Sequence, residues 1–324
     1  MADVRGTTRS GRLYLVIALG WGCTSEGSFV GQDEIVHDPL VLEESFLQEP
    51  LSKVDILWVI DDTSSMADEQ AALEDAFGDF ASALDALDLA WQMGVITTDV
   101  SDSDAGMLQG DPWILTPDLV DPVASLQDAS AVGTEGSPPE AGLGASFLAL
   151  SEPMRSSENR AFRREGASLH VVVVSDADDE SEEVLGVDPA GTMTTFLLEE
   201  ASRTGLDARF SAIVGDLPSG CAWDGGTALP GERYAQVAEA TGGVIASICA
   251  QDLAPVAQAL GESSATWPRR FALQAAPVAA SMRVWVNDER ITEGFTVETD
   301  PPTLVFDEPP AAAAQIRVRY EVQE

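Results

Sequence analysis

Basic residues are scarce in this chain. Among its 324 residues there are 17 Lys and Arg against 55 Asp and Glu, and Lys53 is the only lysine. Nucleic acids and anionic membrane surfaces attract proteins through clustered basic residues, so neither is predicted as a partner. The excess of acid predicts a solvated, acidic surface. Hydrophobic residues nevertheless make up 45% of the chain, enough for a packed core.

Histidine and cysteine are too few for a zinc site. The only histidines are His37 and His170, far apart in the chain, and there are three cysteines. Zinc sites bring several nitrogen and sulfur ligands together, so none is predicted. Cys221 and Cys249 lie in one region, and in an exported chain they are expected to form a disulfide. The alternative is a pair of unbonded, buried thiols.

The N-terminus lacks an apolar run of membrane-spanning length. Three arginines precede only ten apolar or small residues, 13–22, before Cys23, whereas a permanent transmembrane helix needs about 20. A basic start and a short apolar run are typical of a secretory signal. The sequence ALGWGC resembles, imperfectly, the lipobox of bacterial lipoproteins. Residues 1–22 are therefore predicted to be a signal peptide, and acylated Cys23 to anchor the protein in the cell envelope, with plain secretion as the alternative.

Residues 51–263 alternate between short β-branched runs and longer segments of helical period. The predicted strands are residues 54–60, 91–97, 169–174, 208–214 and 243–248, and the predicted helices are 66–87, 139–151, 192–204, 234–241 and 252–262. Such alternation is typical of βαβ units. It predicts an α/β domain of Rossmann-like type, in which a doubly wound, mostly parallel sheet has helices on both faces. The run HVVVV has the pattern of a central strand buried on both sides.

The segments on either side have other patterns. Residues 23–50 mix acids with scattered apolar residues without a sustained period, which predicts a tether with room for one short strand. Residues 264–324 contain period-2 runs separated by turn residues, which predict a small antiparallel β module. Its expected role is to stabilise or present the main domain, although an edge strand could pair with a partner.

Oxygen-bearing side chains follow two of the predicted strands. Asp61, Thr63 and Ser65 come at alternate positions after the first strand, and Asp176 follows the central strand. In doubly wound sheets, ligands bind beyond the carboxyl ends of the strands. Carboxylate and hydroxyl oxygens are the ligands preferred by hard divalent cations. The pattern therefore predicts a cation site for Mg²⁺, with Ca²⁺ or Mn²⁺ as alternatives.

These residues carry a family resemblance. The sequence DILWVIDDTSSM resembles the DxSxS metal-binding motif of von Willebrand factor A domains, with Asp61 at the aspartate and Thr63 and Ser65 at the two serines. GSPPEAGL is similar to the family's GTxxxAGL and matches Ser137 to its threonine, with Thr134 as a substitute. VVVVSDAD is similar to the family's strand and TDG turn and matches Asp176 to its last ligand. The resemblance covers about residues 54–262 and implies a doubly wound sheet.

What the resemblance implies about function is an adhesion-type metal site. In the family, hydroxyl and carboxylate oxygens hold the cation and leave one coordination position for a Glu or Asp of a partner protein. The chain is therefore expected to be a binding protein of the bacterial envelope. The main alternative is a structural envelope component without metal-dependent binding. An intracellular A domain that works with an AAA-type ATPase is a weaker alternative, because an export signal and a cysteine pair do not suit a reducing compartment.

Enzymatic readings of the same acids lack a partner group. A phosphoaspartyl phosphatase or receiver domain needs a cation beside the phosphoryl oxygens, but Lys53 precedes the first strand, at its far end from the acids. A serine hydrolase needs a base beside the serine, but His170 lies at the start of its strand. Neither activity is predicted, and the phosphatase is kept as an alternative. Two further readings are that Ser64 or Ser65 caps a helix and that Asp178 and Asp179 are solvated loop acids.

Overall fold

The computed structural model describes residues 39–49, 53–101, 103–136, 138–204, 206–223, 226–265, 267–311 and 313–323. The strands are β1 (Val41–Leu47), β2 (Lys53–Ile60), β3 (Ala90–Thr97), β4 (Ser168–Val174), β5 (Ala208–Val214), β6 (Cys221–Trp223), β7 (Gly226–Ala228), β8 (Ile245–Ser247), β9 (Arg270–Ala272), β10 (Arg283–Val286), β11 (Glu289–Ile291), β12 (Phe295–Thr299), β13 (Pro302–Phe306) and β14 (Gln315–Glu321). The α-helices are α1 (Ala67–Ala86), α2 (Pro122–Ser130), α3 (Gly142–Leu150), α4 (Glu182–Leu185), α5 (Pro189–Thr204), α6 (Glu232–Thr241) and α7 (Ala254–Ser264). Among the described residues, no helix has both the length and the apolar character to cross a membrane.

Contacts divide the chain into two compact units, residues 50–266 and a second unit formed by residues up to 49 together with 267–324. The first unit contains a five-stranded sheet in the order β3-β2-β4-β5-β8. All four neighbouring pairs in this sheet are parallel. The predicted α/β class with a parallel sheet is therefore confirmed.

Strand β2 shows how the sheet is buried on both faces. Trp58 and its even-numbered neighbours pack into a core that includes side chains of α1 and α7. Leu57 and Val59 point the other way, into a core that includes side chains of α3, α5 and α6. Since successive side chains of a strand alternate between faces, helices on both sides explain why the predicted strands are apolar runs without alternation. The Trp58 ring packs edge-on against Phe77 and Phe80 of α1, with centroids 5.2 and 5.0 Å away.

The predicted strands of this unit agree with the structure to within two residues at each end, and the five predicted helices correspond to α1, α3, α5, α6 and α7. Helix α2 and the β6-β7 hairpin were not predicted. The hairpin contains Cys221, which is bonded to Cys249 in the predicted disulfide.

The second unit is built from two antiparallel sheets, in the orders β1-β14-β10-β11 and β12-β13-β9. An apolar core that includes Val284, Leu304 and Ile316 joins residues of both sheets. The antiparallel C-terminal module is thus present as predicted. One of its strands, β1, lies within the segment interpreted as a tether, and it pairs with β14 from Val41 opposite Glu321 to Leu47 opposite Gln315. Residues 1–22, predicted to be a signal peptide, and Cys23 lie outside the described residues.

Candidate functional site

The order of the parallel strands creates a crevice between β2 and β4. Chain connections leave β2 towards β3 on one side and leave β4 towards β5 on the other, although β2 and β4 are neighbours. Ligands in open α/β sheets bind at such a switch point, beyond the carboxyl ends of the strands. The residues that follow β2 and β4 are Asp61 and Asp176, and the Asp61 N–H donates to the carbonyl of Val174 at 3.0 Å. The sheet therefore brings together the two carboxylates singled out in the sequence.

Asp61 is fully buried and accepts hydrogen bonds on both carboxylate oxygens. Its Oδ1 accepts from the Thr63 backbone N–H at 2.9 Å and from the Thr63 hydroxyl at 2.7 Å. Its Oδ2 accepts from the Ser175 hydroxyl at 2.6 Å. These contacts hold the carboxylate in one orientation at the end of β2. Ser175 was not among the predicted site residues, although its place directly before Asp176 is a usable signal.

Asp176 and Ser65 form a second carboxylate–hydroxyl pair. Burial raises the pKa of Asp176, while a hydrogen bond from Ser65 opposes that rise and the nearby charge of Asp61 adds to it. Ser65 is exposed, and its hydroxyl oxygen lies 3.3 Å from that of Thr63. The two carboxylates and the two hydroxyls thus form one continuous cluster at the protein surface.

The loop that precedes α3 lies beside this cluster. Gln70 Nε2 donates to the Asp61 carbonyl and to the Gly133 carbonyl, both at 2.9 Å. The Gly136 N–H donates to the Asp62 carbonyl at 2.8 Å, and a Cβ at Gly136 would lie 2.3 Å from Asp62 Oδ1, so a larger residue there would require the Asp62 side chain to move. Ser137, the fifth predicted ligand, lies outside the described residues, but the residue before it is fixed against the β2 loop.

Two further acids face the cluster. Burial raises the pKa of Glu69, and the charges of Asp176, Asp68 and Asp61 raise it further. Burial is also the main cause of the raised pKa of Glu140, which the charges of Asp61 and Asp176 reinforce. Both carboxylate oxygens of Glu69 are buried without a hydrogen-bond partner among the described residues. Sequence reasoning placed Glu69 in the first turn of a helix, where it is, but did not assign it to the site.

No basic side chain balances these acids. In the described part of the chain, no Lys, Arg or His forms a hydrogen bond or ion pair with Asp61, Asp176, Glu69 or Glu140. Lys53 is exposed at the other end of β2. His170 is buried within β4, where its ring nitrogens lie 2.7 Å from the hydroxyls of Ser264 and Ser211. The structure therefore does not bring these two side chains to the acidic end of the sheet.

The acids after Asp176 have structural roles. Asp179 Oδ1 accepts from the Leu143 N–H at 2.9 Å and from the Ser181 hydroxyl at 2.6 Å, at the start of α3. Asp178 Oδ1 accepts from the Arg233 N–H at 2.9 Å, at the start of α6. Burial raises the pKa of Asp179 to about 6. The interpretation of Asp179 as a solvated loop acid is therefore wrong, because its carboxylate is buried and binds helix N–H groups.

Neither Ser64 nor Ser65 caps the helix that follows β2, as the capping alternative would require. The residue before α1 is Met66, and no side chain caps this helix. The short 3₁₀ turn Ser64–Met66 likewise begins without a side-chain cap. The hydroxyls of Thr63 and Ser65 are instead directed to carboxylates, as described above. Asp68 and Glu69 do lie in the first turn of α1.

Among the described residues, no three or more His, Cys, Asp or Glu side chains form a group that could hold a metal. The cluster at β2 and β4 differs from such a group because two of its four side chains, Thr63 and Ser65, carry hydroxyls. Hard cations accept hydroxyl as well as carboxylate oxygens, so the donor set of this cluster is that of a mixed oxygen site.

Comparison with known proteins gives little. No family model matches the chain, and no curated protein matches it. Proximal thread matrix protein 1 from the mussel byssus has 12% identity and a TM-score of 0.41, over 69% of this chain and 49% of that one. The pilus adhesin SpaC from Lactobacillus rhamnosus GG, in its open conformation, has 11% identity and a TM-score of 0.39, over 88% of this chain and 41% of that one. The chain spans about half of each or less, and neither likeness assigns a function.

Proposed function

We propose that residues 50–266 form a von Willebrand factor A-like domain that binds a divalent cation, Mg²⁺ above all, at the carboxyl ends of β2 and β4. Asp61, Thr63, Ser65 and Asp176 would hold the cation together with Ser137, the residue after Gly136. Through the cation the protein would bind a Glu or Asp side chain of a protein partner. The observation that carries this proposal is the convergence of two carboxylates and two hydroxyls at the switch point of the sheet.

The hydrogen bonds of the cluster suit a cation. Thr63 donates its proton to Asp61, and the Ser65 hydroxyl acts to lower the pKa of Asp176. A hydroxyl that gives its proton to a carboxylate directs its lone pairs elsewhere, where a cation can accept them. Glu69 also favours a cation at this site, since its buried carboxylate oxygens have no hydrogen-bond partner among the described residues. Buried carboxylates without compensation are costly, and a divalent cation would offset that cost.

The bound cation would supply an electrophilic centre. Because three of the five proposed ligands are neutral hydroxyls, the cation would keep much of its positive charge, and a carboxylate from outside could complete its shell. Ser65 is exposed, so the cluster is open to a partner. This chain's own residues would orient the cation, and no basic side chain among those described competes for the incoming acid.

Cation binding is tested by titration calorimetry on the full chain with Mg²⁺, Mn²⁺ and Ca²⁺. We expect the wild type to bind and Asp61→Ala to lose binding. Because Asp61 is buried, Ser65→Ala and Thr63→Val serve as milder variants that remove one ligand oxygen each, and each should weaken binding about tenfold or more. Thr63→Ser, which keeps the hydroxyl, should bind like the wild type.

Asp75→Asn is the matched control for loss of one negative charge, since Asp75 is an exposed residue of α1. It should leave cation binding unchanged. A wild type that binds none of the three cations in the millimolar range would remove the adhesion proposal and leave a structural envelope role. Phosphate release that needs Mg²⁺ and is abolished by Asp61→Asn would favour a phosphatase instead.

The proposed location is the bacterial cell envelope. The disulfide between Cys221 and Cys249 supports an oxidising compartment, and the N-terminal pattern ending at Cys23 supports a lipid anchor. Mass spectrometry of the protein from its source membrane should find acylated Cys23 as the mature N-terminus. Capture of a partner from the same envelope should require the divalent cation, be lost in EDTA, and be lost with Ser65→Ala as bait.

A further inference from the structure

One face of the sheet β1-β14-β10-β11 concentrates positive charge in an otherwise acidic chain. The register places Arg283 opposite Arg319, and it places Trp285 opposite both Arg317 and Arg290. Residues directly opposite each other in a sheet, and alternate residues on one strand, share a face. Val284 and Val318, on the other face, are fully buried in the core of the unit. We call the basic and aromatic residues of this outer set the arginine face; it consists of Arg283, Trp285, Arg290, Arg317 and Arg319. The same register places Glu43 of β1 opposite Arg319, and Glu321 two residues after Arg319, along its β1 side.

Three arginines of this face form no ion pair. Arg283, Arg290 and Arg319 are exposed, and no carboxylate of the described residues lies within ion-pair distance of them. Elsewhere in the described chain every arginine except Arg160 forms an ion pair with an acid. In a protein with 55 acidic residues, a group in which three of four arginines form no ion pair requires an explanation.

The arrangement is also unfavourable for the protein by itself. Like charges directly opposite each other in a sheet are destabilising, and Arg283 faces Arg319 in this way. Arg283 donates to the carbonyls of Met282 and Ala280 at 2.9 and 3.3 Å, which orients its guanidinium without neutralising it. The Arg283 guanidinium is thus held in place despite repulsion from Arg319, and it remains charged. Such an arrangement is typical of a binding surface.

Arg317 and Trp285 form the centre of the face. The Arg317 guanidinium carbon lies 4.2 Å from the centroid of the Trp285 ring. Arg317 is also 3.6 Å from Asp288 and 3.9 Å from Glu43, at the margin of the face. Stacking on an aromatic ring restricts a guanidinium while its N–H groups remain available. Trp and Arg together are the residues most enriched at binding hot spots.

We propose that the arginine face binds an extended, acidic peptide segment of a protein partner. Arg317 and Arg319 occupy alternate positions of β14, a spacing of about 6.5 to 7 Å that alternate side chains of an extended peptide reproduce. Guanidinium groups bind carboxylates through paired hydrogen bonds. An anionic polymer or membrane would extend past the arginine face and meet the rest of this chain, which carries a net charge of −38. Charges within about 8 Å of each other are poorly screened at physiological salt. Repulsion therefore disfavours such a partner.

The test uses the full chain and a fluorescent octapeptide of alternating Glu and Ser, followed by anisotropy in low salt. EDTA is present throughout, so that the proposed cation site contributes nothing. We expect the wild type to bind this peptide, to release it in high salt, and to bind a Gln-Ser octapeptide much more weakly. Arg283→Gln combined with Arg319→Gln should weaken binding about tenfold or more. The two Arg→Lys substitutions at the same positions keep the charge but lose the paired hydrogen bonds, so they should retain only part of the binding.

The matched control is Arg269→Gln combined with Arg270→Gln, which changes the net charge equally in the same unit. Those two arginines are paired with Glu308 and Glu298, so binding should stay within about twofold of the wild type. Removing the Arg283–Arg319 repulsion should leave the thermal midpoint unchanged or raise it, which shows that lost binding is not lost folding.

Four outcomes would overturn the proposal. They are no binding of the Glu-Ser peptide at millimolar concentration, equal binding of the Gln-Ser peptide, an equal loss in the control variant, and tighter binding of anionic phospholipid vesicles or heparin through the same arginines. Sedimentation of the chain alone adds a fifth, since a dimer that dissociates in the Arg283→Gln and Arg319→Gln variant would make a second copy the occupant. EDTA keeps the proposed cation site from contributing to any measurement in this test. Failure of the peptide proposal therefore leaves the cation proposal untouched, and failure of the cation proposal leaves the peptide proposal untouched.

Discussion

At the residue scale, His170 shows how hydroxyl partners set the state of a buried group. The Ser264 hydroxyl donates to the Leu260 carbonyl at 2.9 Å, so it accepts from His170 Nδ1–H. The Ser211 oxygen accepts from the Val244 N–H at 2.9 Å and donates its proton to Nε2. The ring is therefore satisfied in its neutral form, and burial lowers its pKa from 6.5 to about 3.

This state predicts acid sensitivity. As the pH falls below 6.5, the unfolded chain takes up a proton on His170 that the folded chain cannot take up until about pH 3, so stability is lost. Relative to His170→Gln, the free energy of unfolding of the wild type should fall by about 2 kcal/mol more between pH 7 and pH 5. Urea denaturation at several pH values measures it, and parallel pH curves for the two proteins would contradict it.

Residue patterns predicted part of the candidate site. Asp61, Thr63 and Ser65 follow one strand and Asp176 another, so their types and spacing were visible in the chain. The place of Ser175 on Asp61 Oδ2 and the approach of Glu69 to Asp176 were not. Those contacts depend on how closely β2, β4 and the start of α1 approach, which no spacing along the chain specifies. Glu69 in particular had an adequate local explanation as a first-turn acid.

At the scale of elements, Asp55 of β2 fixes the segment that leads into β4. Its carboxylate is fully buried and accepts from Arg163 at 2.7 Å and from Arg164 Nε at 2.6 Å. Arg164 also donates to the carbonyls of Val54 and Ala90, at the beginnings of β2 and β3. The two arginines thus connect the segment before β4 to the beginnings of β2 and β3, at the end of the strands away from the candidate site.

Removing this carboxylate should be costly. Asp55→Ala leaves Arg163, only 7% exposed, without its nearest counter-charge, and breaking a buried ion pair costs about 3 to 5 kcal/mol. The comparison is Asp207→Ala, whose ion pair with Arg209 is partly exposed and should contribute less than about 1 kcal/mol. Urea denaturation monitored by circular dichroism separates the two, and equal losses would show that Asp55 is not such an anchor.

Elements were predicted unevenly for a physical reason. Strand β4 is a continuous apolar run, and this composition by itself predicts burial on both faces of the sheet. Helix α2 is short, but Asp121 caps it by accepting from the Ala124 N–H at 3.0 Å, with proline at its start. That signal was available. Strand β1 could not be predicted from neighbouring residues, because β14, its partner among the described strands, is about 270 residues away in the chain.

At the scale of the whole molecule, the disulfide acts within one unit only. Cys221 and Cys249 are 28 residues apart, and both lie in residues 50–266. Closing a loop of that length stabilises the folded state by about 3.5 kcal/mol on the chain-entropy estimate. Changing both cysteines to serine should therefore lower the unfolding midpoint of this unit and leave that of the other unit unchanged.

Differential scanning calorimetry measures this prediction, with limited proteolysis to assign each transition to its unit. Arg269→Gln combined with Arg270→Gln changes the other unit instead, and it serves as the control for effects on the transition of residues 50–266. If the double serine variant shifts both transitions equally, the two units do not unfold independently, and the prediction fails.

The sequence by itself determined the order and type of most elements of residues 50–266, the antiparallel character of the C-terminal unit, and the run of oxygen-bearing side chains at the end of β2. All three depend on local periodicity and residue type. Only the tertiary structure decided which acids join Asp61 and Asp176, which strand completes the C-terminal sheet, and which face of it carries four arginines. Those features depend on the register between strands that are distant in the chain, and register follows from packing of the whole unit.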